Sequence, residues 1–469
     1  MVTSEAAPFV KTGGLADVLG SLPAALARAG EQVAVVLPKY RTAEIPSFER
    51  VWNRMPLYVG FRGFTVAIDQ AIRDGVRYFF VDCPELYDRP GVYNERTGDY
   101  PDNHVRFALL NQAALSIARH IFRTDIFHGH DWPAGLLAPY LHFNHAGDPS
   151  FFGAKLILSI HNLGYQGNFP PYVLGELGLD RSLFRPGGLA LHGQISFLKA
   201  GIVWSDLVTT VSPTYAREIQ TPEYGFGMDD LLRARASSVA GILNGIDYAE
   251  WNPKTDPYLR APYSPSDLSG KHYQKLALLE EMGLPFHRAS DAEQPLIGIV
   301  SRFATQKGFE LLGEIAAELA EAGVRVVALG SGEAEIEHMF RSMADSWPDR
   351  FAVRIGYDDA LAHRIEAGAD MFLMPSHYEP CGLGQIQSLR YGTVPIVRAT
   401  GGLEDTVDDE TGFKFTEYSS DALLEAIQSA LAAWKDPRAW QMRMRRGMAK
   451  DFSWDAAAAG YQKLYRSMV

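Results

Sequence analysis

Apolar residues fall along this chain in short unbroken runs, and helical patterns lie between several of them. In the first half the runs are "VAVVLP" (33–38), "RYFFVD" (77–82), "DIFHGHD" (125–131), "KLILSIHN" (155–162) and "DLVTTVS" (206–212). Runs of that length predict buried strands. "LPAALARAG" (22–30) and "HVRFALLNQAALSIARHIF" (104–122) carry helical spacing between them. From "PLIGIVSRF" (295–303) the theme repeats more cleanly: helix "FELLGEIAAELAEAG", strand "VRVVALG", helix "EAEIEHMFRSMA", strand "FAVRIG", helix "DDALAHRIEAGA", strand "MFLMPS", a further helix, and strand "VPIVRA". Alternation of this kind predicts an α/β protein with two successive doubly wound, Rossmann-like parallel sheets, helices covering both faces of each. Ligands in such sheets bind beyond the carboxyl ends of the strands, so two facing edges would place the active site in an inter-domain cleft.

At 469 residues the chain suits two domains of roughly 200 residues each. The stretch "NGIDYAEWNPKTDPYLRAPYSPSDLSG" (244–270), rich in Pro, Asp, Tyr and Ser, is the expected linker and hinge. It divides an N-terminal domain (1–243) from a C-terminal one (271–452). The last segment, 453–469, has helical spacing with no strand after it and can cap either domain. At the other end, the apolar stub ahead of "KTGGL" is short for a buried strand, which suggests that the first residues of strand one are missing.

A formal charge of −12 without any Lys/Arg run disfavours nucleic acid and anionic membranes as partners. Cys83 and Cys381 are far apart in sequence, which points to a reducing, cytoplasmic setting more than to a disulfide framework. No apolar run approaches the roughly 20 residues of a membrane span.

The chemistry concentrates at the turns. "VKTGGLADV" places Lys11, Gly13 and Gly14 ahead of a helix, without the G-x-G-x-x-G of a dinucleotide fold, so hydride transfer is disfavoured and contact with phosphate or substrate is expected. "SRFATQKGFELL" sets Arg302 and Lys307 after the second domain's first strand, where two cations suit a diphosphate. Asp131, His161 and Asn162 follow central strands of the first half and suit a hydroxyl-rich substrate. His128 is read equally as a core histidine. His128, His130 and His161 lack an i, i+4 pair or a cysteine partner, and no metal is expected there. In "MFLMPSHYEPCGLGQIQ", Glu379 can accept hydrogen bonds from hydroxyls, while Gly382, Leu383 and Gly384 offer N–H groups to phosphate. A nucleotide sugar presents both kinds of group.

Together these motifs resemble one family, the bacterial glycogen synthases and plant starch synthases, retaining glycosyltransferases of the GT-B fold. The resemblance runs along essentially the whole chain and is carried by "EAAPFVKTGGLADV", "PDNHVRFALLNQAAL", "HGHDWPAGLLAPYL", "HNLGYQG", "TPEYGFGMDDLL", "LNGIDYAEWNP", "SRFATQKGFELL", "PSHYEPCGLGQIQSLRYGTVPIVRATGGLEDTV" and "FSWD". It implies transfer of glucose from ADP-glucose to the non-reducing end of an α-1,4-glucan such as glycogen, with no cofactor. It further implies that Lys11, Gly13, Gly14 and Asp17 lie at the donor and acceptor site, that Asp131 and His161 line the sugar site, and that Asn244 sits near it. Arg302 and Lys307 would bind the diphosphate, Glu379 the glucose hydroxyls, Cys381, Gly382 and Leu383 would frame the phosphate, and Tyr357 would stack on the base. The terminal helix beginning near Ser453 would cross back onto the first domain. Two positions depart from the family pattern. Gln387 stands where related retaining transferases often carry a second glutamate, so a nucleophile and general-acid pair of the glycosidase kind is unsupported here. Gly384 replaces a side-chain-bearing residue and loses any hydroxyl contact to phosphate. The competing expectations are a small-acceptor transferase on the same fold, a glucan-binding paralogue without turnover, and pyridoxal-dependent phosphorolysis.

Overall fold

The computed structural model describes residues 1–95, 98–286 and 293–469. They form two compact units, Met1–Gly245 with Trp454–Val469, and Ile246–Ser453.

In the first unit, helix α1 (Gly14–Arg28) precedes strand β1 (Ala34–Pro38). Next come β2 (Glu49–Val59), β3 (Arg62–Arg73) and β4 (Val76–Asp82), then helix α2 (Asn103–His120). The parallel run β5 (Ile126–His130), β6 (Lys155–Ile160), β7 (Leu207–Thr210) and β8 (Val239–Gly241) completes the sheet. Val2 forms parallel bridges to Val36 of β1 and Gly129 of β5, joining the two groups of strands. The register β5–β6–β7–β8 is parallel throughout, as the alternation predicts.

One part of this sheet differs from the expected all-parallel form. β2 and β3 pair antiparallel and β3 continues antiparallel onto β4, so a long meander extends the edge beyond β1. Its second turn is Asp74-Gly75, both at positive φ (50° and 80°), the conformation that lets a two-residue turn match the strand twist. β2 also alternates exposed and buried positions over Met55–Val59, the mark of a half-solvated strand.

In the second unit, helix α3 (Ser269–Glu281) precedes β9 (Leu296–Val300), α4 (Phe309–Glu314), β10 (Arg325–Gly330), β11 (Phe351–Ile355) and α5 (Asp359–Gly368). β12 (Met371–Met374), α6 (Gly384–Arg390), β13 (Val394–Arg398), α7 (Gly401–Thr406) and β14 (Phe413–Phe415) follow. All pairs are parallel, in the order β11-β10-β9-β12-β13-β14. The order reverses between β9 and β12. Doubly wound sheets bind ligands at that switch point, because the connections from the two strands leave to opposite faces and open a crevice.

Segment 244–270, expected as a linker, is mostly built into the second unit. Tyr263 donates to the Tyr391 carbonyl at 2.8 Å, and Asp256 Oδ2 accepts from the Tyr391 hydroxyl at 2.5 Å. Its polar residues satisfy buried backbone, which composition alone does not reveal. The terminal helix α8 (Trp454–Arg466) belongs to the first unit, where it packs on α1. Among the described residues no helix is long and apolar enough to cross a membrane.

Candidate active site

In the first unit the polar groups sit where parallel strands end. Val2, held between β1 and β5, hands the chain to Thr3–Gly13, and the turn before α1 is organised by a residue that no spacing rule flags. Glu5 Oε2 accepts the Thr12 N–H at 2.5 Å and the Gly13 N–H at 3.3 Å, and both its oxygens accept from the Thr12 hydroxyl. Tyr93 donates to its Oε1 at 3.2 Å. Burial raises the Glu5 pKa, and the hydrogen bonds from Thr12, Tyr93 and Gly13 oppose the shift. Lys11 Nζ pairs with Asp17 Oδ1 at 2.6 Å. At Gly13 and Gly14 an added Cβ would meet no protein atom within 4 Å. The protein's own packing therefore does not require glycine there.

Asp131 follows β5 with φ 54° and ψ −171°, a region that side-chain-bearing residues rarely occupy. Its Oδ1 accepts the His161 N–H at 2.7 Å. Burial raises its pKa to about 7, against backbone hydrogen bonds from His161 and Asn162. His161, directly after β6, meets His130 Nδ1 through Nε2 at 3.0 Å. His128 stacks on His130 and bonds Ser159 Oγ at 2.7 Å and the Tyr465 hydroxyl at 2.8 Å. Burial lowers all three pKa values, that of His161 to about 4, so the imidazoles are neutral at physiological pH. The His128 ring nitrogens are both engaged, which favours its reading as a core histidine. Asn162 Oδ1 accepts the Gly164 N–H at 2.9 Å and shapes its own turn. Asn244, three residues past β8, is buried, and its Oδ1 has no hydrogen-bond partner among the described residues.

In the second unit the loops after β9 and β12 lie side by side. The His377 N–H donates to the Gln306 carbonyl at 2.9 Å, and Gln306 Nε2 to the Tyr378 carbonyl at 3.1 Å. This lacing brings Lys307 Nζ to 2.5 Å from Glu379 Oε2, which also accepts from Ser376 Oγ at 3.1 Å. The pair is largely shielded, with side chains 14 % and 8 % exposed. Arg302 is exposed on the same loop as Lys307. The Glu379 carbonyl accepts the Gly402 N–H at 3.1 Å, tying the loop to α7. Cys381 is buried, Gly382 has φ 71°, and Leu383 caps α6. Tyr357, after β11, is 80 % exposed and donates to Asp359 Oδ1 at 3.2 Å. Arg302, Lys307, Glu379, Cys381, Gly382 and Leu383 thus gather at the switch point, while Tyr357 lies on a loop two strands further across the sheet.

A chain with two successive doubly wound units and polar loops gathered at a switch point has the make-up of a GT-B glycosyltransferase. Residues 1–234 match the family model described as starch synthase catalytic domain, and residues 284–446 that of glycosyl transferases group 1. A glycogen synthase of Koribacter versatilis is 48% identical over 98% of this chain and 96% of its own length. One from Anaeromyxobacter sp. is 49% identical over 100% and 98%. The catalytic domain of starch synthase IV from Arabidopsis thaliana, solved bound to ADP and acarbose, superposes with a TM-score of 0.90 at 33% identity, covering 100% of this chain and 98% of that one. Sucrose-phosphate synthase from Thermosynechococcus elongatus shares the fold, with a TM-score of 0.62 at 19% identity. The chain belongs to the glycogen and starch synthase family.

Proposed function

We propose that this glycosyltransferase takes glucose from ADP-glucose and adds it to the non-reducing 4-hydroxyl of an α-1,4-glucan with retention. The observation that carries the reading is the shielded Lys307–Glu379 pair at the switch point. The two side chains sit together before the donor arrives. The donor then meets a cation for its diphosphate and an acceptor-only carboxylate for its glucose hydroxyls.

In this mechanism Arg302 and Lys307 stabilise the charge that develops as the C1–O bond to the diphosphate breaks. The acceptor oxygen bonds C1 on the same face, and its proton passes to the departing diphosphate oxygen. No second carboxylate is needed, in keeping with Gln387. Cys381, Gly382 and Leu383 shape the phosphate loop, and Tyr357 offers a ring face to adenine. On the first unit, Lys11 and Gly13 in the turn, with Gly14 and Asp17 in the first turn of α1, form the edge that substrate approaches. Asp131, His161, Asn162 and Asn244 supply hydrogen bonds to sugar hydroxyls. A reducing, cytoplasmic compartment belongs to the same proposal, supported by two cysteines that are both buried.

The test is nucleoside diphosphate release from ADP-glucose and from UDP-glucose, with and without glycogen, in the presence of a metal chelator. Glycogen-dependent ADP release is expected. Faster UDP release would overturn the donor assignment, release with small sugars but not glycogen the acceptor, and no release from folded protein the activity.

A further inference from the structure

Helix α5 opens at Asp359 and carries His363 four residues on, so both side chains lie on one face. A ring nitrogen of His363 and one carboxylate oxygen from each of Glu250 and Asp359 lie within 4.8 Å of one another. Two acids near a surface imply no ligand by themselves. The histidine adds an independent observation. It is 1 % exposed, and its Nδ1 sits 2.8 Å from Asp256 Oδ2. A carboxylate only accepts, so Nδ1 is the nitrogen that donates to Asp256. The His363 Nε2 is buried and has no hydrogen-bond partner among the described residues. Trp251 stacks flat on the ring, with centroids 3.9 Å apart at 12°, and fixes its plane.

We propose that His363 Nε2, Glu250 and Asp359 bind one divalent cation of the zinc class, with water completing the shell. One imidazole nitrogen and two carboxylates form a mixed donor set that suits zinc better than magnesium or calcium, which favour oxygen alone. Asp256 orients the imidazole through Nδ1, the support that metal-bound histidines generally have. A tetrahedral shell with bonds of about 2.0–2.1 Å needs donors about 3.3 Å apart. A bound ion would draw the three donors, which lie within 4.8 Å of one another, closer together. The Asp359 oxygens also accept from Tyr357 and Tyr258, at 3.2 and 3.3 Å. A bound ion would pin the stretch carrying Glu250 and Trp251 to α5, and no step of sugar transfer runs through it.

The experiment is calorimetric titration of zinc into the chelator-stripped full chain, alongside Glu250→Gln and Asp359→Asn, with Trp fluorescence followed in parallel. One saturable site is expected, at least tenfold weaker in each variant, with a fluorescence change that both variants lose. Glu250 is exposed, so Glu250→Gln keeps the fold and makes the comparison direct. Absence of saturable zinc binding overturns the proposal, as does equal affinity in wild type and both variants. Magnesium binding as tight as zinc overturns the assignment of the ion.

Discussion

Lys307 and Glu379 are 72 residues apart in sequence and 2.5 Å apart in space, shielded from solvent. Removing one member of a shielded pair leaves the other charge uncompensated, at about 3–5 kcal/mol. Lys307→Ala is therefore expected to lower turnover more than tenfold and to lower the melting temperature, while Lys307→Arg recovers part of both. Near wild-type turnover in the alanine variant would remove Lys307 from the reaction. Asp131 has a pH signature. Its folded pKa of about 7 lies above the usual carboxylate value, so between about pH 4 and 7 the native state holds a proton that the unfolded chain releases. Stability from this group is therefore greatest below pH 4 and falls as pH rises to 7, by about 2 kcal/mol between pH 5 and 7. Asp131→Asn keeps an acceptor for the His161 N–H and abolishes that slope. Urea unfolding of both proteins at the two pH values checks it, and parallel slopes would refute it. Lys307, Arg302 and Glu379 were legible because strand-end turns announce themselves in sequence. Glu5 was not, since its partners Thr12, Gly13 and Tyr93 become neighbours only through the fold.

At the scale of elements, two glycines separate packing from function. Gly401 opens α7 at φ 46°, and a Cβ there would collide with the Glu379 carbonyl. Gly401→Ala must displace the backbone that carries Glu379, so kcat/KM is expected to fall more than tenfold together with the melting temperature. Gly13 is extended, with open space where its Cβ would be. Gly13→Ala is expected to melt like the wild type and still lose activity, because the methyl meets substrate instead of protein. Unchanged kcat/KM in Gly13→Ala would remove ligand approach as the reason for that glycine. Calorimetry and steady-state kinetics on the same preparations decide both. The parallel strands were readable from their continuous apolar runs. The meander β2–β3 was passed over because half-solvated strands dilute the apolar signal, although Asp74-Gly75 did mark its second turn. Segment 244–270 misled for the opposite reason: Pro, Asp and Tyr look like a linker until Asp256 and Tyr263 find buried partners.

At the scale of the whole molecule, the all-parallel second sheet follows from the strand and helix alternation that the sequence displays, while its reversal between β9 and β12 is visible only in the fold. The first unit is different, because the chain visits it twice. After leaving at Gly245 it returns at Trp454 and adds α8 to a core already laid down. Trp454, Ala458 and Tyr461 are buried in that core, and Tyr465 closes on His128 at 2.8 Å. Burial of a large side chain contributes about 1.5–3 kcal/mol, so Trp454 and Tyr461 together account for a sizeable part of the 5–15 kcal/mol typical of a domain. The ion pair Arg28–Asp455, at 2.7 Å and exposed on both sides, adds at most about 1 kcal/mol. A chain ending at Ser453 should therefore lose or sharply lower the calorimetric transition of the first unit and keep that of the second. Asp455→Ala should leave both nearly in place. Two unshifted transitions in the shortened chain would mean that α8 covers the first unit without stabilising it, and that the unit folds from its N-terminal segment alone.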